Sequence, residues 1–94
     1  MKCLKKEIKV IHTPGHTKGG VTYVIENCMF TGDTLFYLSV GRTDFPGGDY
    51  FTLNESVCRL FDMQGEFDVY PGHERKTSLD FERANNRLVR WKNR

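Results

Sequence analysis

Four side chains able to ligate a metal or carry a proton lie beside chain reversals: His12, His16, Asp33 and His73. Three segments share one form, an apolar run, then a Gly-marked turn, then a metal-competent group. They are Val10-Ile11-His12-Thr13-Pro14-Gly15-His16, Met29-Phe30-Thr31-Gly32-Asp33 and Val69-Tyr70-Pro71-Gly72-His73. Strands that stop at tight turns can gather residues distant in sequence onto one rim of a sheet. Neutral imidazole nitrogen together with anionic carboxylate oxygen suits zinc, iron(II) or manganese. His12 and His16 have the spacing of a helical ligand pair, but Pro14 and Gly15 between them exclude a regular helix, so that pairing is rejected. Each group also has a plain alternative. A histidine near a turn can be no more than a hydrogen-bonded surface residue, and an aspartate after glycine is a common turn residue. The same form repeated in all three segments favours a metal site.

The elements that must position these groups follow from the pattern. Glu7 to Ile11 reads as a strand that stops at Thr13-Pro14-Gly15. Val21 to Ile25 is β-branched and aromatic, and Glu26-Asn27 makes a hairpin turn into a third strand, Cys28 to Thr31. Ser39 to Asp49, with three glycines and a proline, reads as a loop. Thr52-Leu53-Asn54-Glu55 has capping-box spacing, and Leu53, Val57, Leu60 and Phe61 recur at helical intervals up to Gln64-Gly65. Phe67 to Tyr70 is a short strand halted by Pro71-Gly72. Thr77 to Asp80 opens a last helix with Phe81, Ala84, Leu88 and Trp91 on its apolar face. The order is βββ-loop-α-β-α. The helices can cover one face of a sheet, and nothing in the sequence covers the other.

Composition narrows the class. The chain has 94 residues, 14 Lys/Arg against 12 Asp/Glu and a net charge of +2. That length makes one small domain, and 38% hydrophobic residues argue against disorder. A charge of +2 is too mild to imply nucleic acid, and the basic Arg83, Arg87, Arg90, Lys92 and Arg94 read as a solvated face. No apolar run is long enough to span a bilayer, and the N-terminus lacks a signal-peptide core. Cys3, Cys28 and Cys58 are an odd number without a C-x-x-C pair, which excludes a disulfide scaffold and suits the cytoplasm.

Four ordered stretches, HTPGHTKGG, FTGDTLF, VGRTDFPGGDY and VYPGHERKTS, resemble consecutive motifs of the metallo-β-lactamase-fold hydrolases. Gly-Arg-Thr-Asp-Phe resembles the glyoxalase II-like and persulfide-dioxygenase-like branch. The resemblance runs from about Ile8 to Asn86. It implies the C-terminal half of an αββα sandwich, an α/β (α+β) architecture, and a metal-dependent hydrolase of thioesters or esters similar to hydroxyacylglutathione hydrolase. It implies that His16 belongs to one metal site, that Asp33 bridges two metals and is central to catalysis, and that His73 belongs to the second site. His12 precedes the ligand position and stays structural. Arg42 resembles a basic residue that contacts the glutathione carboxylate, a role a guanidinium can fill bidentately. A loop-anchoring pair with Asp44 or Asp49 is the alternative, and Asp44 stands where those proteins carry a tyrosine. Zinc is the implied metal, with iron and manganese as rivals.

The family's first metal motif, H-x-H-x-D-H, does not occur in these 94 residues. The chain therefore corresponds to a partial domain. A catalytic zinc usually has three protein ligands, so the isolated monomer is expected to bind metal poorly and to be inactive. Half of a sandwich would also expose an apolar sheet face. A homodimer packed sheet to sheet, or a complementary N-terminal half, would cover it. The alternative to an enzyme component is a non-catalytic remnant or interaction module that keeps the fold.

Overall fold

The computed structural model describes residues 7–92 except Phe45 and Glu74. Cys3 and Arg94 therefore lie outside the described residues. Five strands form one sheet: β1 (Ile8–His12), β2 (Val21–Ile25), β3 (Cys28–Gly32), β6 (Asp68–Pro71) and β7 (Thr77–Ser78), in that spatial order. A small hairpin, β4 (Leu35–Phe36) with β5 (Ser39–Val40), stands apart from the sheet. Helix α1 is Tyr50–Phe61 and helix α2 is Leu79–Asn85.

β1, β2 and β3 pair antiparallel in turn, and β3 pairs parallel with β6. β1, β3 and β6 therefore all point the same way, and the turns that follow them open on one rim. The Glu26-Asn27 turn links β2 to β3 as the sequence indicates, with Glu26 at φ 53. The core lies on one face of the sheet. Val24, Met29 and Val69 from the strands meet Leu53, Val57, Leu60 and Phe61 from α1, together with Leu35, Leu79 and Val89.

Alternation puts Ile8 and Val10 on the opposite face. The registers run Val10 opposite Tyr23, Tyr23 opposite Phe30 and Phe30 opposite Tyr70. The Phe30 and Tyr70 rings stack at 5.3 Å. Ile8, Val10 and Tyr23 are 55%, 60% and 46% exposed, so among the described residues no helix covers that face.

Several boundaries differ from the sequence reading. α1 is capped three residues before Thr52, by the Asp49 carboxylate, which accepts hydrogen bonds from the Phe51 and Thr52 amides. The helix stops at Phe61, capped at Asp62, short of Gln64-Gly65. The stretch read as a loop from Ser39 carries β5, whose turn from β4 places Leu38 at φ 55.

The largest correction concerns α2. It spans seven residues, so Leu88 and Trp91 are not on it. Its buried side is Leu79 and Glu82, continued by Asn86 and Val89, while Phe81, Ala84 and Leu88 are exposed. The reason is polar. Glu82, fully buried, accepts from the Leu38 amide (3.0 Å), the Thr77 hydroxyl (2.7 Å) and the Asn86 side-chain amide (2.9 Å). That network faces α2 inward on a charged residue, against the apolar pattern. Trp91 does reach the core, edge-on to Phe61 at 5.3 Å, with its indole N–H on Asp62. Arg83 is likewise no solvated cation. It donates to the carbonyls of Phe61, Met63 and Gly65 and pairs with Asp80, satisfying groups at the end of α1.

Candidate metal centre

The turns after β1, β3 and β6 carry His16, Asp33 and His73, and the fold brings the three together. His73 Nε2 lies 3.2 Å from Asp33 Oδ1, and His16 Nε2 lies 3.5 Å from Asp33 Oδ2. One carboxylate thus faces two imidazoles, one through each oxygen. His12, by contrast, hydrogen-bonds the Lys18 carbonyl at 2.8 Å and braces the loop between β1 and β2.

Each ligand candidate is positioned by backbone. β3 and β6 lie side by side, and the Gly72 amide donates to the Gly32 carbonyl at 2.8 Å, which brings Asp33 and His73 into register. Gly41 presses against the Asp33 carbonyl so closely that a Cβ would sit 1.7 Å from that oxygen and 3.2 Å from His16 Nδ1. Gly15, at φ +136, lets the HTPGH turn lie on α1, where a Cβ would meet the Leu53 backbone at 2.3 Å. Beneath the rim, Thr13 shares hydroxyl contacts with Thr22 (3.1 Å) and Thr34 (3.3 Å), joining the His16 turn to the Asp33 turn.

The tautomer of His16 follows from its partner. His16 Nδ1 is 2.8 Å from the carbonyl oxygen of Arg42, which can only accept. In the neutral ring Nδ1 therefore holds the proton, and the Nε2 lone pair is turned toward Asp33, the arrangement typical of a metal-ligating histidine. His73 rests its ring against Phe36, with centroids 6.2 Å apart.

These residues fit a metal pair in one specific sense. Two donors each about 2.1 Å from a tetrahedral ion stand about 3.4 Å apart. The separations of 3.5 and 3.2 Å match that spacing on both sides of Asp33. Two donors per ion is also all that the cluster offers. Among the described residues no three His, Cys, Asp or Glu groups surround a single point.

Arg42 stands next to Gly41 at the same rim. Its guanidinium forks onto Asp44, Nε to Oδ1 at 3.1 Å and Nη2 to Oδ2 at 3.3 Å. The shared hydrogen bonds and the opposite charges raise the Arg42 pKa and lower that of Asp44. Of the two carboxylates the sequence offered as partners, Asp44 is the one engaged. Asp49 instead caps α1.

Comparison with known proteins shows the family. The sequence profile of the Metallo-beta-lactamase superfamily matches residues 1–82. The chain belongs to that superfamily. The hydroxyacylglutathione hydrolase GloC of Haemophilus influenzae is 36% identical over 87 residues, covering 89% of this chain and 41% of that protein. That relationship supports the glyoxalase II-like branch.

Two solved structures superpose closely. The structure of ETHE1 from Myxococcus xanthus matches with a TM-score of 0.84 at 36% identity, over 93% of this chain and 41% of that one. A di-iron-bound form of TTHA1623 matches with a TM-score of 0.83 at 39% identity, over 87% of this chain and 42% of that one. The chain thus spans only about a third to two-fifths of the length of curated relatives it matches. Members of this superfamily bind divalent metals, and the mixed α+β fold matches its solved members. No helix among the described residues is long and apolar enough to cross a membrane.

Proposed function

We propose that this chain is the C-terminal portion of a metal-dependent hydrolase of thioesters or esters, similar to hydroxyacylglutathione hydrolase, and inactive by itself. The observation that carries the reading is the convergence of His16 and His73 on the two oxygens of Asp33. His16 and Asp33 would hold one ion, and Asp33 and His73 the other. Bound there, divalent cations polarise a carbonyl and lower the pKa of water. Zinc is the default ion, manganese is compatible with the donors, and iron is favoured by the likeness to TTHA1623 in its di-iron form. This chain's residues do the holding. Arg42 O fixes the His16 tautomer, Gly41 and Gly72 set the approach of Asp33 and His73, and the Arg42 fork is suited to a carboxylate on the substrate.

The ligands still required come from a partner in this reading. The exposed Ile8, Val10 and Tyr23, in line with the half-buried Phe30 and Tyr70, support a second sheet packing there, either a complementary N-terminal portion carrying H-x-H-x-D-H or a second copy of this chain. Cys28 and Cys58 are not joined in disulfides, which suits the cytoplasm. A net charge of +2 gives no reason to invoke nucleic acid.

A second reading, a non-catalytic interaction module, is favoured by the lack of three donors around one point among the described residues. Native mass spectrometry of protein prepared without chelator separates the two. The hydrolase reading expects an assembly that carries metal, loses it on Asp33→Asn and cleaves a thioester. An assembly that covers the sheet face yet stays metal-free overturns it in favour of the module.

A further inference from the structure

The Arg42–Asp44 fork lies on the same loop as the backbone that holds His16. Resting on the hydrolase reading, we infer that Asp44 is a displaceable stand-in for the substrate's carboxylate, so that it sets how tightly a carboxylate-bearing substrate binds. Three observations lead there. The contact is two-toothed, with both Asp44 oxygens on two guanidinium nitrogens, which is the geometry of arginine recognising a carboxylate. Both side chains are largely exposed, 76% and 69%, so an incoming carboxylate can reach the fork and water can receive the released aspartate. The backbone beneath is fixed, because Arg42 O accepts from His16 Nδ1 and the Gly41 amide donates to the Thr34 carbonyl. The side chains can therefore exchange partners without moving His16.

An exposed ion pair is worth little against water, so Asp44 holds the guanidinium extended and oriented without locking it. A ligand with a single acceptor atom replaces only half the fork, whereas a carboxylate replaces all of it. The pairing therefore selects for carboxylates while weakening the affinity for them.

The test is an NMR titration of the full chain, with chelator present, using S-methylglutathione as probe. This thioether carries carboxylates and has no thioester to cleave. The amides of Gly41 and Thr43 report in every variant. The wild type is expected to shift saturably, and Asp44→Asn to reach half-saturation at about two- to fivefold lower probe concentration, the range open to a surface ion pair. Arg42→Gln and the probe's dimethyl ester are expected to give no saturable shift. Binding by Asp44→Asn no tighter than wild type overturns the inference. So does a saturable shift with Arg42→Gln or with the diester. Because metal is absent from the titration, failure here leaves the hydrolase reading standing, and failure of metal uptake leaves this result standing.

Discussion

His16 Nδ1 donates to the carbonyl oxygen of Arg42, 26 residues further along the chain, at 2.8 Å. That one bond ties two motifs. It fixes which imidazole nitrogen turns toward Asp33, and it anchors the loop that carries the Arg42–Asp44 pair. The contact exists because Gly41 lets the loop lie against the Asp33 turn.

Gly41→Ala should therefore be costly. The added methyl would overlap the Asp33 carbonyl at 1.7 Å, and backbone has no flexible end to yield. A loss of about 2–3 kcal/mol in urea unfolding is expected. The His16 and Asp33 resonances should move with it, since the same methyl would crowd His16 Nδ1.

Glu82 is tested by two substitutions. Glu82→Leu fills the space but takes the acceptor from the Leu38 amide and the Thr77 hydroxyl and leaves the Asn86 side-chain amide only the Ser39 carbonyl, at a cost of about 3 kcal/mol. Glu82→Gln keeps one oxygen for those donors, and the Thr77 hydroxyl can rotate to accept from the new amide. About 1 kcal/mol is expected there. Denaturant melts of the two variants check the ordering.

The uncovered sheet face gives a prediction about assembly. Val10→Lys with Tyr23→Glu places an ion pair in the middle of the apolar row. Folding stability should change by less than about 1 kcal/mol, because both sites are exposed and directly opposite, so the two charges attract. Association through this face should be lost. Sedimentation velocity reads the second effect and chemical melts the first. An assembly that survives the double substitution is not built on this face.

The Arg42–Asp44 pair has a defined pH behaviour. The Asp44 pKa is lowered from its ordinary 3.8, first by the hydrogen bond from Arg42. A depressed carboxylate favours the folded loop fully above its unfolded pKa, and loses that contribution as pH falls through the folded value. The fork should therefore hold from neutral pH through the ordinary carboxylate range and open only as pH falls below that range. The Arg42 side-chain Nε–H resonance follows the opening. In Asp44→Asn that acid transition should vanish.

Much of this molecule is legible residue by residue, because turns and periodicity are local. Pro14-Gly15, Gly32 and Pro71-Gly72 end strands just where the three ligand candidates begin. The apolar spacing of Leu53, Val57, Leu60 and Phe61 gives the buried side of α1, as the core shows. The strand at Val21–Ile25 and the Glu26-Asn27 turn also follow from their residues. Local signals mislead where two of them compete. Thr52 and Asp49 both offer an N-cap, and the one whose oxygen reaches the Phe51 and Thr52 amides starts the helix. Phe81, Ala84 and Leu88 look like a core face, yet α2 turns on Glu82, whose partners Leu38 and Thr77 come from elsewhere in the chain. The strands at Leu35–Phe36, Ser39–Val40 and Thr77–Ser78 are two residues each, too short to show a period.

The sequence by itself determined which side chains can serve a metal and that each follows a strand and a turn. Only the tertiary structure decided that they meet. Pairing β1, β3 and β6 in one direction is a choice among distant segments, made by burying Val24, Met29 and Val69 against α1. No stretch of a few residues contains that information. The same is true of the exposed face opposite, which exists because α1 and α2 both pack on the other side of the sheet.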